Sequence, residues 1–162
     1  MSKSAADEVF LQLFNAMRQH PGVILFTALQ WIPGTSSLRR IFTSHAHDYP
    51  VGAEKTVEIS AGWLDTVIAR KKPFLAADLD GLKEVFADAS LIQSLGCGAV
   101  INLPVLNGPT LVGVLALLDA EGRYTEQSVA AAVEVVRQHS AEIAKAFSAY
   151  PSEIPRKDPV TQ

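Results

Sequence analysis

Residues 91–129, LIQSLGCGAVINLPVLNGPTLVGVLALLDAEGRYTEQSV, constrain the fold more than any other stretch of this chain. Two runs that are apolar at nearly every position, Ala99 to Leu106 and Leu111 to Leu118, flank Asn107-Gly108-Pro109. Glycine and proline in so short a link predict a hairpin. Apolar residues on both sides of each strand predict a sheet covered on both faces. Pro104 has no amide hydrogen to give to the ladder, so it predicts a bulge or an edge there, and Gly113 predicts a close backbone approach. A short helix stops at Gly96 before the first strand. After Asp119-Ala120-Glu121-Gly122, Thr125 opens a long helix to Ala149, with Val129, Ala132, Val133, Val136, Ile143 and Phe147 as its apolar stripe.

Upstream, residues 5–19 read as an amphipathic helix with Ala6, Phe10, Leu13, Phe14 and Met17 at helical spacing, ended by Pro21-Gly22. Residues 23–32 are too apolar and β-branched for a surface helix and predict a central strand. Pro33-Gly34 supplies a turn into a returning strand, Leu38 to Ser44. Strict alternation there puts Leu38, Arg40, Phe42 and Ser44 on one face and Arg39, Ile41 and Thr43 on the other, a mixed pattern suited to a strand near the sheet edge. Residues 45–59 predict a long polar loop. Ser60 caps a helix carrying Trp63, Leu64, Val67 and Ile68, with Arg70, Lys71 and Lys72 in its last turn before Pro73. Phe74 to Ala77 is a short strand. Asp78 to Ser94 reads as helical turns, with Asp80 and Asp88 as caps and with Leu91, Ile92 and Leu95 facing inward. The tail from 150 to 162 contains three prolines and no apolar period, and is expected to be mobile.

The 162 residues suit one unit over 1–149 followed by that tail, and are enough to bury a core. A net charge of −3 gives no electrostatic drive toward nucleic acid. No run approaches the roughly 18 apolar residues of a membrane helix, and the N-terminus lacks the features of a signal peptide. With one cysteine there is no internal disulfide, and a cytoplasmic location is expected.

Three constellations carry candidate chemistry. Cys97 lies between two glycines as either a redox-reactive thiol or a small apolar filler at a strand start. No cation that would lower its pKa is visible beside it in sequence. His45 and His47 fall on one side of the chain if the preceding strand continues through them, as a metal site requires, but His20 and His139 are not obvious further ligands. Solvated loop residues are the alternative. Asp78 and Asp80 are the first place to look for paired carboxylates, with helix capping as the other use. No nucleophile elbow or phosphate-loop spacing is present. Asn102 stands out as a polar residue inside an apolar strand, and a buried amide needs partners.

The order helix, strand, strand, helix, short strand, irregular helical segment, hairpin, long helix resembles a GAF domain over residues 1–149. The residues that carry the resemblance are Ser44, His45, Tyr49-Pro50, Gly52 and Lys55; Phe74-Leu75 before Asp78; Ser94-Leu95-Gly96-Cys97 leading to Asn102-Leu103-Pro104-Val105; Gly113-Val114-Leu115; and Tyr124-Thr125. The pattern is similar to a bacterial subgroup of small GAF proteins. The resemblance implies an α+β fold of the PAS/profilin-like kind. An antiparallel sheet of five or six strands would carry the terminal helices on one face, and short helices and loops would cover a pocket on the other. It also implies a non-catalytic sensor of an unidentified small molecule, with Trp63, Phe74, Asp78, Leu95, Cys97 and Asn102 on the ligand side, and with homodimerisation through the terminal helices. No cofactor is identified. The Asn-Lys-Phe-type signature of cyclic-nucleotide GAF domains is not visible, and no cysteine sits where bilin attachment is expected. Free methionine-R-sulfoxide reductases share the fold but use several cysteines before the hairpin. A redox role through Cys97 alone and a closed interaction module are the alternatives.

Overall fold

The computed structural model describes residues 1–52, 54–55 (backbone only) and 60–151. Helix α1 (Lys3–Gln19) begins at Ser2, whose hydroxyl accepts from the Ala5 amide. It buries Ala6, Phe10, Leu13 and Met17, the periodic apolar stripe. Strands β1 (Leu25–Ile32), β2 (Ser37–Thr43), β3 (Glu54–Lys55), β4 (Phe74–Ala76), β5 (Ala99–Asn107) and β6 (Thr110–Asp119) form one antiparallel sheet in the order β3-β2-β1-β6-β5-β4. The predicted hairpin is β5–β6. Asn107 pairs with Thr110 across Gly108-Pro109, and Gly108 at the first central position takes φ +61°, the II′ pattern. Pro104 lies beyond the stretch of β5 that β4 covers, so its missing amide hydrogen falls on a free edge, and a register shift follows at Val105/Leu106. Gly113 is a site of close approach: a Cβ there would stand 2.3 Å from Phe147 Cε1 and 2.5 Å from the Leu29 carbonyl oxygen.

Apolar residues alternate between two cores. On one face Phe26, Ala28, Ile101, Leu103, Leu115 and Leu117 pack under α1 and the C-terminal helices. On the other, Leu25, Leu29, Leu38, Val100, Val114 and Leu118 pack under the short helices. Those are α2 (Ala61–Trp63), which runs into a π-helical segment Leu64–Ala69, then α3 (Leu79–Val85) and α4 (Ala89–Ser94). Helix α4 ends as expected at Gly96, which takes φ +89°. The Gly96 amide donates to Gln93 O and the Cys97 amide to Ile92 O, a Schellman closure.

Several expectations are corrected. Strict alternation fails in β2, because a register shift between Ala28 and Leu29 makes Ile41 an extra residue. Leu38 therefore faces the short helices, while both Ile41 and Phe42 join the opposite core. The loop predicted over 45–59 contains β3. Its positions 53 and 56–59 lie outside the described residues, as does the tail from 152. Asp78, not Asp80, caps α3, accepting from the Gly81 amide. Asp88 occupies the cap position of α4 but makes no capping bond, and Leu91 is exposed. The C-terminal helix is not continuous: α5 (Glu126–Gln138) and α6 (Ser140–Ser148) meet at His139. There the imidazole Nδ1 donates to the Val135 carbonyl, at 2.9 Å, and the His139 amide turns to Val136 O. The side chain has taken the carbonyl that the helix would have used. Val133 of the predicted stripe is exposed. At the start of the tail, Tyr150 is tied down: its hydroxyl donates to Asp7 and its carbonyl accepts from Gln30 Nε2.

Candidate functional site

The short-helix face of the sheet carries a row of side-by-side residues: Phe74 of β4, Asn102 of β5, Ala116 of β6 and Thr27 of β1. Asn102 is fully buried. Above it lies Trp63, whose indole Nε1 donates to Asn102 Oδ1 at 2.9 Å. Local sequence holds Trp63 there, since Ser60 caps the turn and accepts from the Trp63 amide. The π-helical segment that follows is marked by the Arg70 amide bonding to Asp65 O. Asn102 Nδ2 is buried and has no partner among the described residues. The amide orientation is fixed by chemistry: an indole N–H can only donate, so turning the amide over would set two donors face to face. An orphaned donor of this kind costs about 1–3 kcal/mol, and the described residues offer it no acceptor.

A second polar group on this face was not anticipated from sequence. The Arg40 guanidinium lies 3.5 Å over the Tyr49 ring, and its Nη1 donates to Pro50 O at 2.7 Å. Tyr49 donates its hydroxyl to Asp88 Oδ2. Burial, followed by the Asp88 charge, pushes the Tyr49 hydroxyl well above the usual phenol range. Arg40 Nε is buried without a hydrogen-bond partner among the described residues. The available signal was the charge at Arg40, one inward position beyond Leu38.

The GAF domain family model matches residues 3–143, most of the chain. The chain belongs to the GAF domain family. Solved structures agree in fold. The GAF domain of a two-component sensor histidine kinase from Bacillus halodurans is 12% identical, with 88% of this chain and 92% of that one covered at a TM-score of 0.67. The GAF domain of a phosphoenolpyruvate-protein phosphotransferase from Coxiella burnetii is 18% identical, covering 90% and 84% at 0.65. A phycocyanobilin-bound GAF domain from a cyanobacterial phytochrome is 15% identical, covering 90% and 87% at 0.65. The comparison with curated proteins found no match.

In this GAF domain the sequence candidates do not form one cluster. Trp63 and Asn102 meet directly, and Phe74 is the β4 partner of Asn102. Leu95 is half-buried as the C-cap of α4, and Asp78 is exposed as the cap of α3. Cys97 is buried beside a small recess of about 220 Å³ lined by Leu79, Gln93, Gly96, Cys97, Gly98 and Glu121. Burial, and then the Asp119 charge, pushes its thiol up to about 11, although a hydrogen bond with the Leu25 backbone acts the other way. That environment suits a protonated filler rather than a nucleophile. His45 and His47 do not share a strand face, because β2 ends at Thr43 and the chain turns, with the Tyr49 amide donating to His45 O. No group of three or more His, Cys, Asp or Glu side chains able to hold a metal is found among the described residues. A larger groove, about 840 Å³, opens on the opposite face between α1 and β2, with Leu11, Phe14, Arg39 and Phe42 among its lining. None of the sequence candidates lies there.

Proposed function

We propose that this GAF domain is a non-catalytic sensor that receives a small molecule on the short-helix face, at Asn102. The observation that carries the reading is the fully buried Asn102 amide, whose Oδ1 accepts from Trp63 and whose Nδ2 has no partner among the described residues. Burying a half-satisfied amide is unfavourable for the empty domain, and a ligand acceptor removes the penalty. The raised Cys97 pKa weighs against a thiol mechanism. We further place the protein in the cytoplasm, with the functional unit spanning 1–149 and signalling through self-association of α1 and α5 or through a partner. The test is a thermal-shift screen of small metabolites. A true ligand at about 100 times its Kd adds about 2.7 kcal/mol, and Asn102→Leu is expected to abolish that gain. A ligand whose stabilisation survives Asn102→Leu binds elsewhere.

A closed interaction module is the second reading, favoured by Trp63, which is only 1% exposed and occupies the space over Asn102. No stabilising metabolite would then be found.

A further inference from the structure

We infer that Trp63 is a built-in plug: its indole holds the place of a planar heterocycle that presents a hydrogen-bond donor and an acceptor side by side. The inference rests on the reading that the Asn102 face receives the ligand. A side-chain amide offers an acceptor and a donor on one carbon, so its full partner is a cis-amide or amidine edge making two parallel hydrogen bonds, as asparagine does with adenine. Indole has a donor and no acceptor. Trp63 therefore satisfies Asn102 Oδ1 and leaves Nδ2 orphaned, the pattern seen. A conjugated lactam such as 2-pyridone is flat, like indole, and supplies the missing carbonyl beside its N–H. The backbone that carries Trp63 suits displacement. Trp63 ends a three-residue helix at its junction with a π-helical segment, a geometry frequent at functional sites. Ala61 and Gly62 before it are exposed, and among the described residues nothing outside its own helix backbone and chain neighbours lies within 4 Å of where a Gly62 side chain would start. Phe74, the neighbour of Asn102 on edge strand β4, is only half-buried.

The chain has two tryptophans, so Trp31→Phe leaves Trp63 as the sole indole. In that protein the Trp63 indole N–H, followed by NMR hydrogen exchange, is expected to exchange about ten-fold or more faster than the Ile101 and Leu117 amides, because a plug opens locally. Exchange at the rate of those core amides overturns the inference, and this measurement requires no substitution of Trp63. The second arm uses 2-pyridone, which has adjacent N–H and C=O groups, and N-methyl-2-pyridone, which lacks the donor. Added to the Trp31→Phe protein, 2-pyridone is expected to shift Trp63 emission to the red. It should also raise the Tm of Trp63→Ala in the same background, while the N-methyl compound does neither. Equal effects of the two compounds overturn the inference. The two readings fail separately. A metabolite that stabilises the domain through Asn102 while Trp63 emission stays unchanged removes the plug and leaves the sensor. A metabolite panel without effect on a protein whose indole opens locally removes the sensor.

Discussion

Cys97 and Asn102 sit at opposite ends of one short stretch, and their surroundings give them opposite chemistry. Cys97 is held protonated by burial and by Asp119. Its folded pKa, about 11, lies above the ordinary thiol value of 9.0, so the folded state keeps a proton that the unfolded state releases. The associated stability is complete below pH 9.0 and is lost as pH rises toward about 11. Cys97→Ala is therefore expected to flatten the fall in Tm just above pH 9. The steeper fall above pH 10, where the buried Tyr49 and Tyr124 hydroxyls are also raised, should remain. Alkylation by iodoacetamide should be negligible in the native protein at pH 7 and rapid in denaturant, and rapid native labelling would reopen the redox alternative. At Gly113 the contacts with Phe147 and Leu29 predict a large effect for Gly113→Ala, about 1–3 kcal/mol of destabilisation by urea unfolding. Asn102 was legible in sequence as a polar residue within an apolar strand. Its pairing with Trp63 was not, because 39 positions separate them and only the fold joins them.

Elements are legible in the sequence where local rules dominate and hidden where a single side chain redirects the backbone. The β5–β6 hairpin, the α4 stop and the α5 start follow from turn, Schellman and capping chemistry that lies within a few residues. Thr125 and Ser128 complete a reciprocal capping box. Thr125→Ala should cost about 1 kcal/mol, and Gly96→Ala, which forces a side chain into φ +89°, about 1–2 kcal/mol. Both are measurable as shifts in the urea midpoint at unchanged m. The break at His139 and the extra residue at Ile41 are invisible in the sequence for a common reason. Apolar periodicity reports which positions are buried, and it is blind to an imidazole that captures its own helix carbonyl or to one residue inserted into a ladder. The Arg40–Tyr49–Asp88 group was hidden in the same way, since its members come from a strand, a loop and a helix start.

At the scale of the whole molecule, the sheet is a thin partition between the proposed ligand face and the helix face. Successive residues of β5 point to opposite sides: Asn102 meets Trp63, while Ile101 and Leu103 belong to the core beneath α1 and α6. The same backbone carries both sets of side chains, and it is the route by which the proposed ligand would reach the helices. Those helices present apolar side chains outward, with Leu11 of α1 49% exposed and Val133 of α5 38% exposed, although α1 and α5 pack on the same face. Self-association is the use we propose for them. Light scattering at roughly tens of micromolar is expected to give a mass approaching twice 17.4 kDa, which requires a Kd of about 1 μM or below, an interface worth about −8 kcal/mol or better. Leu11→Glu with Val133→Glu should return the mass to 17.4 kDa with an unchanged circular dichroism spectrum, since neither side chain is buried in the protomer. A wild-type monomer at that concentration would remove the dimer and require a different protein to take up the signal. If the dimer forms and a ligand changes its dissociation constant, linkage requires dimerisation to change ligand affinity by the same factor. Titrating the ligand into wild type and into the Glu-substituted monomer therefore measures directly whether the two faces of the sheet are coupled.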